Sequence, residues 1–166
     1  MIEIRDIRPD ELHLLKDFLY EAVFQREGEP RLPKNIIDEP SIRNYIDDWG
    51  RPDDVCLVAV KGGKCMGAVW TRILSGDIKG YGYIDDFTPE FAVSLYKEYR
   101  GKGLGTELMQ AMIQKLKERG YAQTSLSVQK DNPAYYLYKK LGFNVVAEPH
   151  DDYLMVLDLR RSDPIN

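Results

Sequence analysis

Apolar positions in this chain switch repeatedly between a two-residue period and a helical one. Ile2, Ile4 and Ile7 alternate with charged residues and predict a first strand. Pro9-Asp10-Glu11 then opens a helix with Leu12, Leu15, Phe18, Leu19, Ala22 and Val23 on one face. Periodicity lapses from Glu27 to Pro40, where Gly28, Pro30, Pro33 and Pro40 predict a long loop of the kind that often carries function. Ser41 is placed to cap a short helix through Asp48, with Ile42, Tyr45, Ile46 and Trp49 together on one side. Two runs, Val55–Lys61 and Lys64–Ile73, flank Gly62-Gly63 and predict a hairpin. Residues 75–89 are rich in Gly and Asp and leave room for a strand around Tyr81–Ile84. Phe91, Val93 and Leu95 alternate in a strand that ends near Tyr96. A helix follows from about Gly103 to Arg119, with a stripe of Leu104, Leu108, Ala111, Met112 and Leu116 and a basic last turn before Gly120. Thr124–Val128 reads as a strand and Ala134–Leu141 as a helix stopped by Gly142. The strands Phe143–Ala147 and Tyr153–Leu159 close the chain. The order βααββ(β)βαβαββ mixes hairpins with crossover helices, so the class is mixed α/β (α+β mixed sheet), with helices around one twisted sheet.

Size and charge narrow the function. A chain of 166 residues is expected to form one domain, 1–166. The 43% hydrophobic and 30% charged content excludes global disorder. A net charge of −4 argues against duplex nucleic acid as the main partner, because phosphate binding leans on Lys and Arg. Apolar runs are only a few residues long, so no membrane span is expected, and the early charges of MIEIRDIRPDEL do not make a signal peptide. Pairing across Gly62-Gly63 puts Cys65 opposite Val60 and Cys56 opposite Val69. That separates the sulfurs by roughly 13 Å along the ladder, so two free thiols in a reducing cytoplasm are expected. His13 and His150 lie far apart in the sequence and neither joins a cysteine in a zinc spacing, so no metal is expected.

The candidate chemistry centres on Tyr99-Arg100-Gly101-Lys102-Gly103-Leu104-Gly105-Thr106. A strand ends, a glycine-rich loop follows and a helix begins. The amides of such a turn and of the helix start make an anion-binding concavity, and Arg100 and Lys102 add charge beside it. Phosphate or pyrophosphate is the natural guest. A Walker loop is excluded because Gly101-Lys102 runs into Gly103, and a Rossmann fingerprint because position 106 is Thr. The bland alternative is a plain strand-to-helix turn with incidental glycines.

A wider pattern surrounds the loop. Arg100-x-x-Gly103-x-Gly105 matches the [QR]-x-x-G-x-[GA] signature of the GCN5-related N-acetyltransferase (GNAT) superfamily. The run Asn132-Pro133-Ala134-Tyr135-Tyr136-Leu137-Tyr138-Lys139-Lys140-Leu141-Gly142-Phe143 resembles that family's second segment, with Asn132 one residue closer to Tyr138 than in the commoner pattern. The resemblance covers Phe87 to Phe143, and the βαα pattern upstream suits the family's N-terminal arm. It implies acetyl-CoA as cosubstrate, bound where two central parallel strands splay apart. Its pyrophosphate would lie on the amides of Gly101 to Thr106, so Arg100, Gly101, Lys102, Gly103, Leu104, Gly105 and Thr106 are its candidate binding residues. The pantetheine arm would lie along the backbone of Val93, Ser94 and Leu95, with Asn132 and Tyr138 beside it. The amide of Leu95 would polarise the thioester carbonyl, and Tyr138 would act as general acid near the sulfur.

The resemblance also implies direct attack by a primary amine of a small molecule or peptide. Glu90, at the start of the cofactor strand, is a candidate general base, with Asp85, Asp86 and His150 as alternatives beside an ordered-water route. The acceptor region would hold Glu27, Glu29, Asp38, Glu39, Asp47, Asp48, Asp85, Asp86, Glu148, Asp151 and Asp152, an acidic rim that predicts a cationic amine. Phe24, Tyr45, Trp49 and Trp70 offer an aromatic wall or core contacts. A non-catalytic acyl-CoA- or partner-binding module of the same fold is the alternative function. An exposed last hairpin leaves room for a homodimer.

Overall fold

The computed structural model describes residues 1–160; the last six residues of the expected 1–166 domain lie outside them. Seven strands form one sheet in the order β1-β2-β3-β4-β5-β7-β6. They are β1 (Glu3–Asp6), β2 (Val55–Lys61), β3 (Lys64–Arg72), β4 (Glu90–Leu95), β5 (Gln123–Gln129), β6 (Asn144–Ala147) and β7 (Asp152–Asp158). Helices α1 (Leu15–Ala22) and α2 (Pro40–Arg43) follow β1, α3 (Leu104–Glu118) connects β4 to β5, and α4 (Ala134–Leu141) follows β5. Every neighbouring pair is antiparallel except β4 and β5.

The two faces of the sheet hold two separate cores, because successive side chains on a strand point to opposite sides. Phe91, Leu126 and Val128 pack with Leu108, Met112 and Phe143 on the α3 and α4 side, where Val93 and Leu95 join them. Val58, Ala68 and Trp70 pack with Leu15, Phe18 and Leu19 on the α1 side, where Ala92 and Tyr96 join them. The apolar stripe of α3 is buried as its period predicts, with Leu108, Met112 and Leu116 fully covered.

Several expectations are corrected. The first helix begins as a 3-10 turn over Pro9–Leu14, which leaves Leu12 exposed. The loop from Glu27 to Pro40 contains a further 3-10 turn at Lys34–Asp38. The second helix is α only over Pro40–Arg43, its N-cap is Glu39 rather than Ser41, and turns carry the chain to Asp48. The carbonyls of Asn44 and Asp47, which would continue the helical ladder, instead accept from the buried guanidinium of Arg72 at 2.9 and 2.7 Å. A register shift between Ala59 and Val60 leaves Cys65 opposite Val60 but sets Cys56 opposite Trp70, and both thiols are free. Tyr81–Ile84 is not a strand. Its polar groups bond to side chains instead of a ladder: the amides of Tyr81 and Gly82 donate to Tyr45 and Glu90, and the Gly82 carbonyl accepts from Ser125.

Candidate active site

The site begins where β4 and β5 part. Their pairing is confined to Glu90 opposite Ser125, although both strands continue beyond it. Tyr96 donates its amide to Met66 on β3, so by strand alternation the amides of Val93 and Leu95 face the other way, toward β5. A cavity of about 330 Å³ occupies the opening. It is reached by Val93, Met109, Val128, Asn132 and Tyr138 and by residues of the opposite side: Leu19, Val23 and Phe24, Ile42 and Tyr45, and Glu90. The cavity therefore passes through the sheet from the α3–α4 side to the α1–α2 side.

The glycine-rich loop stands where β4 hands over to α3. Gly101 and Gly103 take left-handed backbone angles, φ +78° and +83°, and Gly103 caps α3. These angles favour glycine. Gly105 has no such angle, and a carbon added there meets nothing nearer than Leu95 at 3.8 Å. The chain's own packing does not require glycine at 105, whereas a closely approaching ligand would. The first backbone bond inside the helix start runs from Glu107 to Gly103, and the amides of Gly101 through Thr106 donate to no described residue. This row of free donors at a helix N-terminus fits a diphosphate. Arg100 does not lean over the loop: it bonds the Leu95 carbonyl at 3.1 Å and Glu21 at 3.0 Å, which ties the loop to α1. Lys102 is exposed.

Glu90 is 4% exposed and faces the α1–α2 side. Its Oε2 accepts from the Tyr45 hydroxyl and from the Gly82 amide at 3.0 Å. Its Oε1 is buried without a partner among the described residues. Burial raises the carboxyl to about 7, against the pull of its two donors. Tyr45 is raised well above its ordinary range by burial and then by the neighbouring Glu90 charge. Gly80 and Gly82 make this enclosure fit: a side-chain carbon at Gly80 would lie 2.0 Å from Oε1, and one at Gly82 would lie 2.9 Å from the carboxyl carbon.

On the opposite side, Tyr138 lines the cavity from α4 with no hydrogen bond to a described residue, and desolvation raises its phenol to about 12. Ser94 points to the α1 side, where its hydroxyl is buried without a partner among the described residues. Asn132 reaches the cavity, but its Oδ1 accepts the Ala134 amide at 2.9 Å and so starts α4; only its NH2 group remains open. The other base candidates lie elsewhere. Asp85 holds the turn to Phe87 and Thr88, Asp86 accepts from Tyr83, and exposed His150 does not line the cavity.

The acidic rim contracts as well. Asp38 and Asp47 pair with Arg43, Glu148 pairs with Lys130, and of the rim residues only Asp152 lines the cavity. Trp70 lies in the core and Trp49 stacks on Arg72, so on the α1–α2 side the aromatic lining comes from Phe24, Tyr45 and Tyr81. Sequence reasoning assigned Tyr45 no role beside Glu90, and gave none to Gly80 or Gly82. The one available signal was a pair of glycines, spaced by one residue, in the segment just before the cofactor strand.

A mixed sheet opened between two parallel strands, with a glycine-turned helix start at one end of the opening, defines the acyl-CoA acyltransferase class of fold. Residues 16–143 match the Acetyltransferase (GNAT) family, and the chain belongs to it. A mycothiol acetyltransferase of Corynebacterium aurimucosum is 31% identical over 113 residues, covering 64% of this chain and 35% of that protein. The chain spans about a third of the length of the mycothiol acetyltransferases it matches. The [ribosomal protein bS18]-alanine N-acetyltransferase of Haemophilus influenzae is 39% identical over 56 residues, 34% of this chain and 38% of that protein. In fold, the chain is similar to the PaiA N-acetyltransferase of Thermoplasma acidophilum in complex with coenzyme A. That likeness has a TM-score of 0.70 at 20% identity over 95% of this chain and 99% of that one.

Proposed function

We propose that this protein is an N-acetyltransferase that moves the acetyl group of acetyl-CoA to a primary amine of a small molecule or peptide. The observation that carries the proposal is the cavity through the sheet, which lets two reactants meet at one point from opposite faces. Acetyl-CoA supplies the thioester acyl group. The free amides of Gly101 to Thr106 would hold its diphosphate, and Val93, Ser94 and Leu95 would lie along its pantetheine arm. The Leu95 amide, facing the opening, would serve as donor to the carbonyl oxygen, a contribution worth about 3 kcal/mol in such sites. Alignment of the two bound reactants supplies much of the acceleration.

Acid and base stand on opposite sides. Tyr138, raised and protonated, is suited to give a proton to the leaving sulfur. Glu90, shifted toward neutrality, is suited to take one from an ammonium at physiological pH. The acceptor side is walled mainly by Leu19, Val23, Phe24 and Ile42, which supports a compact amine over a polycation. Calorimetric titration with acetyl-CoA, CoA and ATP, followed by thiol release over a panel of amines, tests the proposal. Heat with the CoA species alone and amine-dependent thiol support it. No heat with CoA removes it, and binding without turnover favours the non-catalytic acyl-CoA-binding module.

A further inference from the structure

The carboxylate of Glu90 is almost completely enclosed. Oε1 lies against Gly80, where even one added carbon would sit 2.0 Å away. Oε2 is occupied by the Gly82 amide and the Tyr45 hydroxyl. Oε2 already holds two donors, so a proton reaches that oxygen through one of them. Tyr45 lines the cavity together with Glu90, beside Leu19, Val23 and Ile42. Its proton points to Glu90, and one lone pair accepts the Tyr81 amide at 3.0 Å. A phenol oxygen has a second lone pair, which no described residue uses. The backbone holds this geometry: the Tyr45 carbonyl accepts from Trp70 Nε1 at 3.1 Å, inside the core.

Resting on the transferase proposal above, we propose that Tyr45 is a second catalytic residue: its oxygen accepts a proton from the acceptor ammonium while its own proton passes to Glu90 Oε2. The protons balance. The nitrogen sheds two in becoming an amide. One leaves along Tyr45 to Glu90 and then to solvent. The other returns through solvent to the Tyr138 phenolate, which has given its own proton to the leaving sulfur as the N–C bond forms and the C–S bond breaks. Tyr45 stays neutral throughout, which agrees with the cost of a phenolate beside a carboxylate. The titratable groups facing the pair are Tyr81 and, opposite Glu90 on β3, Arg72, whose charge is matched by Asp54 at 2.6 Å.

A double-mutant cycle tests the relay, using an amine that the wild type acetylates. Tyr45→Phe and Glu90→Gln are each expected to lower kcat by about 100-fold, and the double variant by no more than about threefold beyond the worse single one, because the two act as one unit. Calorimetric affinity for acetyl-CoA stays at the wild-type value in all three. Incorporation of 3,5-difluorotyrosine at position 45 keeps the ring's place and changes its acidity, so kcat shifts while the melting temperature holds; this variant also decides the matter if Tyr45→Phe does not fold. Near-wild-type kcat in a folded Tyr45→Phe, additive losses, or an indifferent fluorotyrosine protein overturns the relay alone. A wild type that binds acetyl-CoA but acetylates nothing overturns the transferase proposal and the relay with it.

Discussion

Glu90 is a carboxyl kept away from water, and its titration leaves a mark on stability. Its pKa rises from an ordinary 4.5 to about 7 in the folded chain. Between those values the native state keeps a proton that the unfolded chain has released. Folding stability from this group therefore falls as pH climbs through that window, and the loss is complete above about 7. Glu90→Gln removes the effect. The stability of that variant relative to the wild type is expected to improve from pH 5 to pH 8 by about 3 kcal/mol, read by urea denaturation at the two values. A variant stability that falls relative to the wild type from pH 5 to pH 8 would contradict the raised carboxyl. Tyr138→Phe tests the other proton site: kcat should drop by roughly 10–100-fold with acetyl-CoA affinity unchanged. The position of Tyr138 follows from the segment around Asn132 and Phe143, whereas the partnership of Glu90 with Tyr45 joins residues 45 positions apart and has no local signature.

Among the elements, the two glycine segments do different work. Gly103 turns the chain into α3 at φ +83°. Gly103→Ala should cost about 1–2 kcal/mol of stability from the left-handed angle, and calorimetry should show weaker acetyl-CoA binding as the amide row distorts. Gly80 and Gly82 instead allow a backbone to lie against a carboxylate. Gly80→Ala puts a carbon 2.0 Å from Glu90 Oε1 and 2.6 Å from Leu74. It is expected to destabilise by about 1–3 kcal/mol and to lower kcat while acetyl-CoA affinity persists, because the phosphate loop lies on another element. The first segment was legible because strand end, glycines and helix start are consecutive. The second only left room for a strand, and the groups that divert its backbone are Tyr45 beyond α2, Glu90 on β4 and Ser125 on β5.

At the scale of the whole molecule, a buried ion pair holds the acceptor side together. Arg72 and Asp54 are 1% and 2% exposed and 2.6 Å apart, and Arg72 also bonds the carbonyls of Asn44 and Asp47 that end the α2 segment. Arg72→Met leaves Asp54 buried and unpaired, at a cost of about 3–5 kcal/mol in chemical denaturation. Because α2 leads into Tyr45, turnover should fall further than acetyl-CoA affinity.

Local periodicity determined the strands, the helix from Leu104, the hairpin at Gly62-Gly63 and the phosphate-type loop, since each depends on neighbours within a few residues. Tertiary structure alone decided where β4 and β5 stop pairing, which face Glu90 takes, that Arg72 would end α2, and that Asp38, Asp47 and Glu148 would pair with nearby bases. Those outcomes depend on groups brought together across the sheet, where burial and competing hydrogen bonds outweigh local preference.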